Sequence, residues 1–250
     1  MKVGILGAGS IGATLTRRLS TAGHEVRVAN SRGPESIDPS LLTSGAVAVS
    51  AADVAIDADV FITSIPLSRT PGIRPLLEGA AKSAIVIDTS NYYPERDGRI
   101  AVLDYGRAES LWISEQLGRP VTKAWNAITS ESLADKPMKP GTSGRISIPV
   151  ASDDDTSRAV AMQLIDETGF DAYDAGPLAE SWRFQPGSPA YCTDLTSAEM
   201  SDALASAQKN RSPLRRDLVW KVIAERTDGF KSVDPDFGDY LVRLNRAIYL

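Results

Sequence analysis

The chain of 250 residues contains one cysteine and one histidine. A single cysteine, Cys192, excludes an intramolecular disulfide framework. With only His24 beside it, the usual zinc and iron ligand sets are missing, so we do not expect a metalloenzyme. The triplet Asp153-Asp154-Asp155 could suggest a metal, but its place just before a predicted helix favours helix capping.

Long apolar runs and a strong excess of charge are also absent. No stretch approaches the roughly 18 residues needed to cross a bilayer, and the apolar start at residues 1–6 breaks at Gly7 before a signal-peptide core forms. A net charge of −5 gives no argument for nucleic-acid binding. We therefore expect a cytoplasmic protein with no membrane or nucleic-acid partner.

Short apolar runs alternate with helix-like segments over the first 180 residues. The predicted strands are 2–6, 25–29, 46–49, 59–65, 84–88, 120–124, 145–150 and 170–173. The clearest helical segments after the first are 73–81, 107–117 and 156–168. Because strand and helix alternate, we predict an α/β fold, a Rossmann-like doubly wound and mainly parallel sheet.

The alternation ends near residue 176, and the remaining chain reads as helices and loops. Thr196 and Glu199 form a capping-box pattern, and two apolar faces follow at residues 218–223 and 237–248. We predict a division into a Rossmann domain, 1–180, and a helical C-terminal segment, 181–250. That segment either folds back on the sheet or meets a partner subunit, where it would supply a substrate site or the contact of a homodimer.

A glycine-rich segment follows the first predicted strand. Gly7-Ala8-Gly9-Ser10-Ile11-Gly12 matches G-x-G-x-x-G, opens an amphipathic helix, and precedes a second strand at βαβ spacing. Gly7 permits the tight turn, Gly9 lets a pyrophosphate approach bare backbone, and Gly12 lets the helix pack closely. With Ser10 and Ile11, the helix N-terminus supplies amide donors. The segment predicts dinucleotide binding.

The end of the second strand indicates which dinucleotide. An NAD-preferring site has an Asp or Glu there to bind the ribose 2′-hydroxyl, but this chain has Asn30, followed by Ser31 and Arg32. A hydroxyl and a guanidinium suit a 2′-phosphate, which a carboxylate would repel. We therefore predict NADP(H).

Candidate catalytic groups are few. No Tyr-x-x-x-Lys pair occurs, and His24 lies in a predicted turn away from the nicotinamide end. Lys123 and Asn126, at the end of a predicted strand, are the catalytic candidates. Proton transfer, positioning and a plain structural role all stay open for Lys123.

Other strand ends should meet Lys123 at the ligand crevice. We predict that Ile65, Pro66 and Leu67 contact the ribose and nicotinamide, and that Asn91 and Asn126 frame the nicotinamide. Tyr92 and Tyr93 either stack on a planar ring or serve as ordinary packing.

With these residues located, the chain resembles the NADP oxidoreductase family typified by the coenzyme F420-dependent NADP reductases. The resemblance covers about residues 1–190. It rests on the glycine segment, 30–36, 65–67, Lys123-Ala124-Trp125-Asn126, and 174–178. It implies hydride transfer between NADP(H) and a flavin-like small-molecule acceptor, a deazaflavin or flavin serving as co-substrate, with alignment mattering more than a protein acid or base.

The typical reductases have a histidine that lines the deazaflavin site, and none follows Asn126 here. A quinone or a carbonyl acceptor therefore stays open. Two alternatives also stay open: a β-hydroxyacid or imine-type reductase that uses Lys123, and a non-catalytic NADP(H)-binding redox sensor.

Overall fold

The computed structural model describes residues 1–232, 234 and 236–250. Six parallel strands form the central sheet in the order β3-β2-β1-β4-β5-β6, and a parallel pair β7-β8 follows. The strands are β1 Lys2–Leu6, β2 Glu25–Ala29, β3 Val47–Ala48, β4 Val60–Thr63, β5 Ile85–Asp88, β6 Thr122–Lys123, β7 Ser147–Val150 and β8 Asp171–Asp174. The α-helices are α1 Ser10–Thr21, α2 Pro94–Asp97, α3 Ala101–Asp104, α4 Glu109–Leu117, α5 Ser130–Asp135, α6 Asp155–Glu167, α7 Ser197–Ala205, α8 Ser212–Arg226 and α9 Phe237–Tyr249.

The central sheet is covered on both faces. Strand residues alternate between the faces, so Val3 and Ile5 pack with α1 and α6 in one apolar cluster. Leu6 and Phe61 pack with α4 in a second cluster on the opposite face. The predicted doubly wound α/β fold is confirmed.

The strand order places a crevice at the carboxyl end of β1. β1 pairs with β2, Lys2 opposite Glu25, and on its other side with β4, Val3 opposite Val60. The chain therefore winds outward in opposite directions from β1 and β4. Ligands of open α/β sheets bind where such a reversal occurs.

The pair β7-β8 continues the sheet in the opposite direction. Lys123 and Ala151 exchange two antiparallel backbone hydrogen bonds, of 2.8 and 3.1 Å. The buried Arg145 guanidinium contacts both Asp166 and Asp171, at 2.7 and 2.6 Å, and so ties β8 to the end of α6.

The predicted helix at 73–81 is wrong. The chain forms a 3-10 helix over Leu67–Leu77, with Pro71 and Pro75 inside it. Proline lacks the backbone N–H that an α-helix interior requires, so these two residues prevent a regular α-helix. The predicted 107–117 helix begins at Glu109 and ends at Leu117, and the next residue, Gly118, has the left-handed φ of 67° expected after a C-terminus.

The C-terminal helices fold back onto their own chain. Buried Met200, Val219, Ile223 and Tyr249 share a cluster with Ala151 at the end of β7. The predicted capping box is confirmed, since the Glu199 carboxylate accepts the Thr196 backbone N–H at 2.8 Å. No helix in the described ranges is both long enough and apolar enough to cross a membrane.

One expected apolar face differs from the structure, because Leu218 is 50% exposed and lies outside the packed face of α8.

Arg18 on α1 contacts a neighbouring helix. It donates to the carbonyls of Leu133 and Ala134, at 3.2 and 2.7 Å. Its guanidinium binds the last turn of α5, where helical carbonyls lack partners.

Candidate functional site

The glycine segment forms the turn between β1 and α1. Gly7 has a φ of 113°, and a Cβ there would lie 2.0 Å from the Ser64 carbonyl oxygen. A Cβ on Gly12 would lie 1.9 Å from the Gly7 carbonyl oxygen, so α1 can approach the turn only without one. A Cβ on Gly9 would meet nothing within 4 Å. The first and third glycines therefore satisfy the fold, whereas the middle one faces open space.

That open space lies at the N-terminus of α1. Gly9 is the N-cap residue and provides no side chain to cap the helix. The backbone N–H groups of Ser10, Ile11 and Gly12 lie in the first turn of α1. The N–H groups of a first turn have no carbonyl acceptor within their own helix. Such donors at the positive end of a helix dipole fit a diphosphate.

Asn30 shapes the turn after β2. Its Oδ1 accepts the Arg32 backbone N–H at 2.8 Å, and its amide contacts the Ser36 hydroxyl at 2.9 Å. Ser31 and Arg32 are exposed, and within the described residues the Arg32 side chain makes no hydrogen bond or ion pair. Asn30 therefore organises the backbone and leaves the Arg32 guanidinium available to a ligand.

A carboxylate lies in the same turn. A Cβ on Gly33 would come within 2.4 Å of Glu35 Oε1, so this exposed carboxylate folds over the Gly33 backbone. The residues at 30–32 alone do not reveal this group. The Glu35 carboxylate would repel an anion bound near Gly33, although Arg32 on the same turn would attract one.

The segment after β4 differs in part from the prediction. Ile65 is half-buried and Pro66 is exposed at the crevice edge. The Leu67 side chain is fully buried in the cluster beneath β4 and β5. The Leu67 side chain therefore offers no exposed surface to a ligand, whereas Ile65 and Pro66 are accessible.

Lys123 is fully buried in an ion pair. Its Nζ donates to Asp88 Oδ2 at 2.6 Å and to the Ser90 carbonyl oxygen. The other Asp88 oxygen accepts the hydroxyls of Thr63 and Ser90, at 3.1 and 2.9 Å. Among the three roles left open for Lys123, this geometry favours a structural one, because its ammonium is committed to Asp88 and lies out of reach of solvent.

The Asn91 and Asn126 amides lie together at the ends of β5 and β6. Asn91 Nδ2 donates to the Asn126 carbonyl at 2.9 Å, and Asn126 Nδ2 donates to Asn91 Oδ1 at 3.1 Å and to the Phe184 carbonyl at 3.0 Å. Asn126 Oδ1 is buried and has no partner in the described part of the chain. The structure thus brings together the two amides that the sequence placed at this end.

Tyr92 and Tyr93 belong to the packing. The Tyr92 hydroxyl donates to Asp104 at 3.0 Å and accepts the Ile100 N–H at 2.8 Å. The Tyr93 hydroxyl contacts the Tyr191 hydroxyl at 2.7 Å, and its ring lies 5.0 Å from Trp220. Burial raises the pKa of Tyr93, so its hydroxyl stays neutral.

Glu109 is a buried acid that the sequence reading did not single out. It begins α4 and its Oε2 accepts the Tyr92 backbone N–H at 3.1 Å. Burial raises its pKa to about 7, opposed by the nearby Lys123 charge and the Tyr92 bond. In the sequence it looks like an ordinary first-turn acid, and only the tertiary structure shows that it is desolvated.

Two further expectations agree with the structure. His24 lies at the turn before β2, at the amino ends of the strands, where its Nε2 contacts Glu167 at 2.6 Å. Asp154 caps α6 by accepting the Ser157 N–H at 2.7 Å.

The fold and this crevice define a Rossmann dinucleotide-binding protein. Residues 2–92 match the model of the family described as NADP oxidoreductase coenzyme F420-dependent. The chain is also 30% identical to the hypothetical protein SMa0349 of Sinorhizobium meliloti, over 78% of this chain and 94% of that one, with a TM-score of 0.65. The chain belongs to the coenzyme F420-dependent NADP oxidoreductase family, and this membership supports a nicotinamide cofactor.

Other similarities are narrower. YjhV of Escherichia coli (strain K12) is 41% identical over 75 residues, which is 30% of this chain and 55% of YjhV. The chain spans about half the length of the curated relatives it matches. A candidate F420-dependent NADP-reductase of Arthrobacter sp. FB24 shares the fold, at a TM-score of 0.58 and 19% identity over 92% of this chain and 96% of that one.

The glycine geometry predicts that two alanine substitutions act differently. Gly9→Ala adds a methyl group to open space at an ordinary φ of −75°, so it should preserve the thermal stability. It should weaken binding of the nicotinamide dinucleotide at least about tenfold, roughly 1.4 kcal/mol, by blocking close approach of the diphosphate. Gly12→Ala should lower both the thermal stability and the dinucleotide affinity, because its methyl group would clash with the Gly7 carbonyl oxygen. Fluorescence titration and thermal unfolding measure the two effects, and unchanged binding by Gly9→Ala would contradict this assignment.

The buried Glu109 carboxyl predicts a pH-dependent stability. Its pKa rises from an ordinary 4.5 to about 7, so the folded protein binds the proton more tightly than the unfolded chain. This group therefore lowers the free energy of unfolding as the pH rises through that interval, by about 3 kcal/mol in total. Glu109→Gln should remove the effect while keeping an acceptor for Tyr92. The Lys123, Arg216 and Asp88 charges that also act on this carboxyl stay in place.

Urea unfolding at about pH 5 and about pH 8 tests this expectation. The stability of Glu109→Gln relative to the unmodified protein should be higher at the upper pH. Glu115→Gln, on the same helix but half-exposed, is the matched control and should show little such difference. Parallel pH profiles for the unmodified protein and Glu109→Gln would contradict the shifted pKa.

Proposed function

We propose that this chain is an NADP(H)-dependent oxidoreductase that transfers hydride between NADPH and a planar, flavin-like acceptor. The main support is the turn after β2, where Asn30 holds the backbone so that Ser31 and Arg32 face solvent. Family membership and the fold support the nicotinamide dinucleotide in general. The phosphorylated form is our inference from this turn.

The proposed cofactor contacts run across the sheet from β2 to β6. Gly7, Gly9, Ser10, Ile11 and Gly12 hold the diphosphate at α1. Ser31 and Arg32 hold the 2′-phosphate, with Asn30 shaping the turn, because a guanidinium can bind two phosphate oxygens at once. Ile65, Pro66 and the backbone at Leu67 border the ribose and nicotinamide, with Asn91 and Asn126 at the far side.

When bound, the dinucleotide supplies the hydride, and the protein residues supply alignment. The Asn91–Asn126 pair fixes polar groups at one end of the crevice, and the apolar Ile65 and Pro66 exclude water along its edge. A flavin-like acceptor delocalises the incoming charge, so a strong protein acid is unnecessary. This fits a crevice in which Lys123 is committed to Asp88.

The acceptor would meet the cofactor between the sheet and the C-terminal segment. Phe184, whose carbonyl binds the Asn126 amide, belongs to the segment 181–250 and connects it to the crevice. We propose that residues 1–180 bind the dinucleotide and that 181–250 complete the acceptor site. A homodimer contact through the same segment is part of this proposal.

Dinucleotide preference gives a first test. Arg32→Ala should weaken NADPH binding by about one to two orders of magnitude, since a charge-assisted hydrogen bond contributes about 1.5–3 kcal/mol. NADH binding should hardly change. Glu35→Gln should instead strengthen NADPH binding, because it removes the carboxylate that lies over Gly33.

Isothermal titration calorimetry with both dinucleotides separates these outcomes. Arg17→Ala, an exposed arginine on α1, serves as the charge-matched control. If NADH binds the unmodified protein as tightly as NADPH, or if Glu35→Gln weakens NADH alone, the turn reads the ribose 2′-hydroxyl and the NADP(H) assignment is wrong.

A panel of acceptors tests the reaction class. NADPH oxidation, followed by absorbance, should be fastest with a deazaflavin or a flavin and slower with quinones, ferric complexes and small carbonyl compounds. Oxidation confined to carbonyl compounds would favour a different reductase. NADPH binding without turnover on any acceptor would indicate a redox sensor and overturn the proposal.

A further inference from the structure

A narrow pocket lies between the sheet domain and the C-terminal helices. Tyr92 and Glu109 form one wall, and Gln185, Lys209 and Arg216 form the other. Its volume is about 40 Å³, which is enough for a carboxylate or an inorganic oxyanion but not for a nucleotide. The pocket is thus a place for one small polar group.

Arg216 is the main donor in this pocket. The residue is only 8% exposed, and its guanidinium lies 5.3 Å from the centre of the Tyr92 ring. Its Nε donates to Asp217 at 2.7 Å. Its two terminal nitrogens make no hydrogen bond to the residues the structure describes, and the residue lines the pocket. The guanidinium fork is therefore open to an acceptor that enters the pocket.

Gln185 adds a second unsatisfied donor. Its Nε2 is buried and has no partner in the described part of the chain. The preceding residue, Phe184, holds the Asn126 amide through its carbonyl at 3.0 Å. The pocket is therefore one residue along the chain from the proposed nicotinamide site.

The charges around the pocket favour an anion. Lys209 lies 5.6 Å from the Trp182 ring at the pocket wall, and Arg107 also lines it, paired with Glu115. The acidic groups nearby are Asp104 and Asp217 and, within the pocket, Glu109. Burial favours the protonated form of Glu109, so near neutral pH this carboxyl offers a donor as much as a charge.

We propose that this pocket binds an oxyanion, a carboxylate or phosphate group, between the Arg216 guanidinium fork and the Gln185 amide. Arg216 supplies paired donors in a plane, the geometry that matches two oxygens of such a group. The anion is either the acidic group of the hydride acceptor or a free ion. Only the first source rests on the proposed function.

Binding is tested without cofactor or turnover. Calorimetric titration of the full chain with acetate and with inorganic phosphate should show one site for at least one of them. Arg216→Lys keeps the charge but loses the fork, and Gln185→Leu loses only the amide. Each should weaken binding at least about tenfold, and Lys221→Gln, an exposed lysine on the same helix α8, should leave it unchanged.

The proposed site is wrong if neither anion binds the unmodified protein. It is also wrong if both variants bind as tightly as the unmodified protein. Equal weakening by Lys221→Gln would indicate a general charge effect and would likewise contradict the site. Thermal unfolding shows whether Arg216→Lys folds. If it does not, Gln185→Leu decides the outcome, because it removes a single unpaired donor.

Inhibition of NADPH oxidation then identifies the source of the anion. Competition of the bound anion with the acceptor, but not with NADPH, assigns the pocket to an acidic group of the acceptor. Inhibition or activation that is independent of acceptor concentration assigns it to a free ion. Both patterns support an oxyanion site, and neither depends on which acceptor is physiological.

Discussion

The buried ion pair between Lys123 and Asp88 fixes the floor of the crevice. Both side chains are almost completely removed from solvent, at 0% and 1% exposure. Removing one member of a buried pair typically costs about 3–5 kcal/mol, because it leaves the other charge uncompensated. Through the Thr63 hydroxyl and the Ser90 carbonyl, the pair connects β4, β5 and β6 at their carboxyl ends. The loops that follow these strands therefore start from fixed positions.

The C-terminal helices depend on the same end of the sheet. Phe184 binds the Asn126 amide, and the tyrosine pair Tyr93–Tyr191 joins the loop after β5 to the segment before α7. Trp220 on α8 packs against the Tyr93 ring. The crevice and the helical segment thus share a wall, and the pocket lined by Glu109 and Arg216 lies beside the crevice.

Local and long-range features differed in how well the sequence predicted them. The β1-α1-β2 unit, its glycine turn and the capping residues Asp154 and Glu199 were predictable because each depends on residues within a few positions. The apolar spacing of residues 73–81 is typical of a helix, but Pro75 lies inside this stretch and Pro71 just before it. Each proline removes a backbone N–H, so the chain forms a 3-10 helix over Leu67–Leu77 instead.

The features that define the site chemistry join residues far apart in the chain. Asp88 and Lys123 are 35 positions apart, and the pocket of Glu109 and Arg216 joins α4 to α8. No periodicity links such residues. Burial of an acid next to a buried cation is decided by packing, so Glu109 looked ordinary in the sequence and Lys123 looked available.

In the turn after β2, the residues that hold the backbone differ from those whose side chains are exposed. Asn30, Ser36 and Gly33 hold its backbone together with the Arg32 N–H, whereas the side chains of Ser31 and Arg32 are exposed and take no part. A substitution of the side chain at position 31 or 32 therefore removes none of the contacts that hold the turn. Substitutions at these two positions thus change the exposed surface of the turn at little cost to the core.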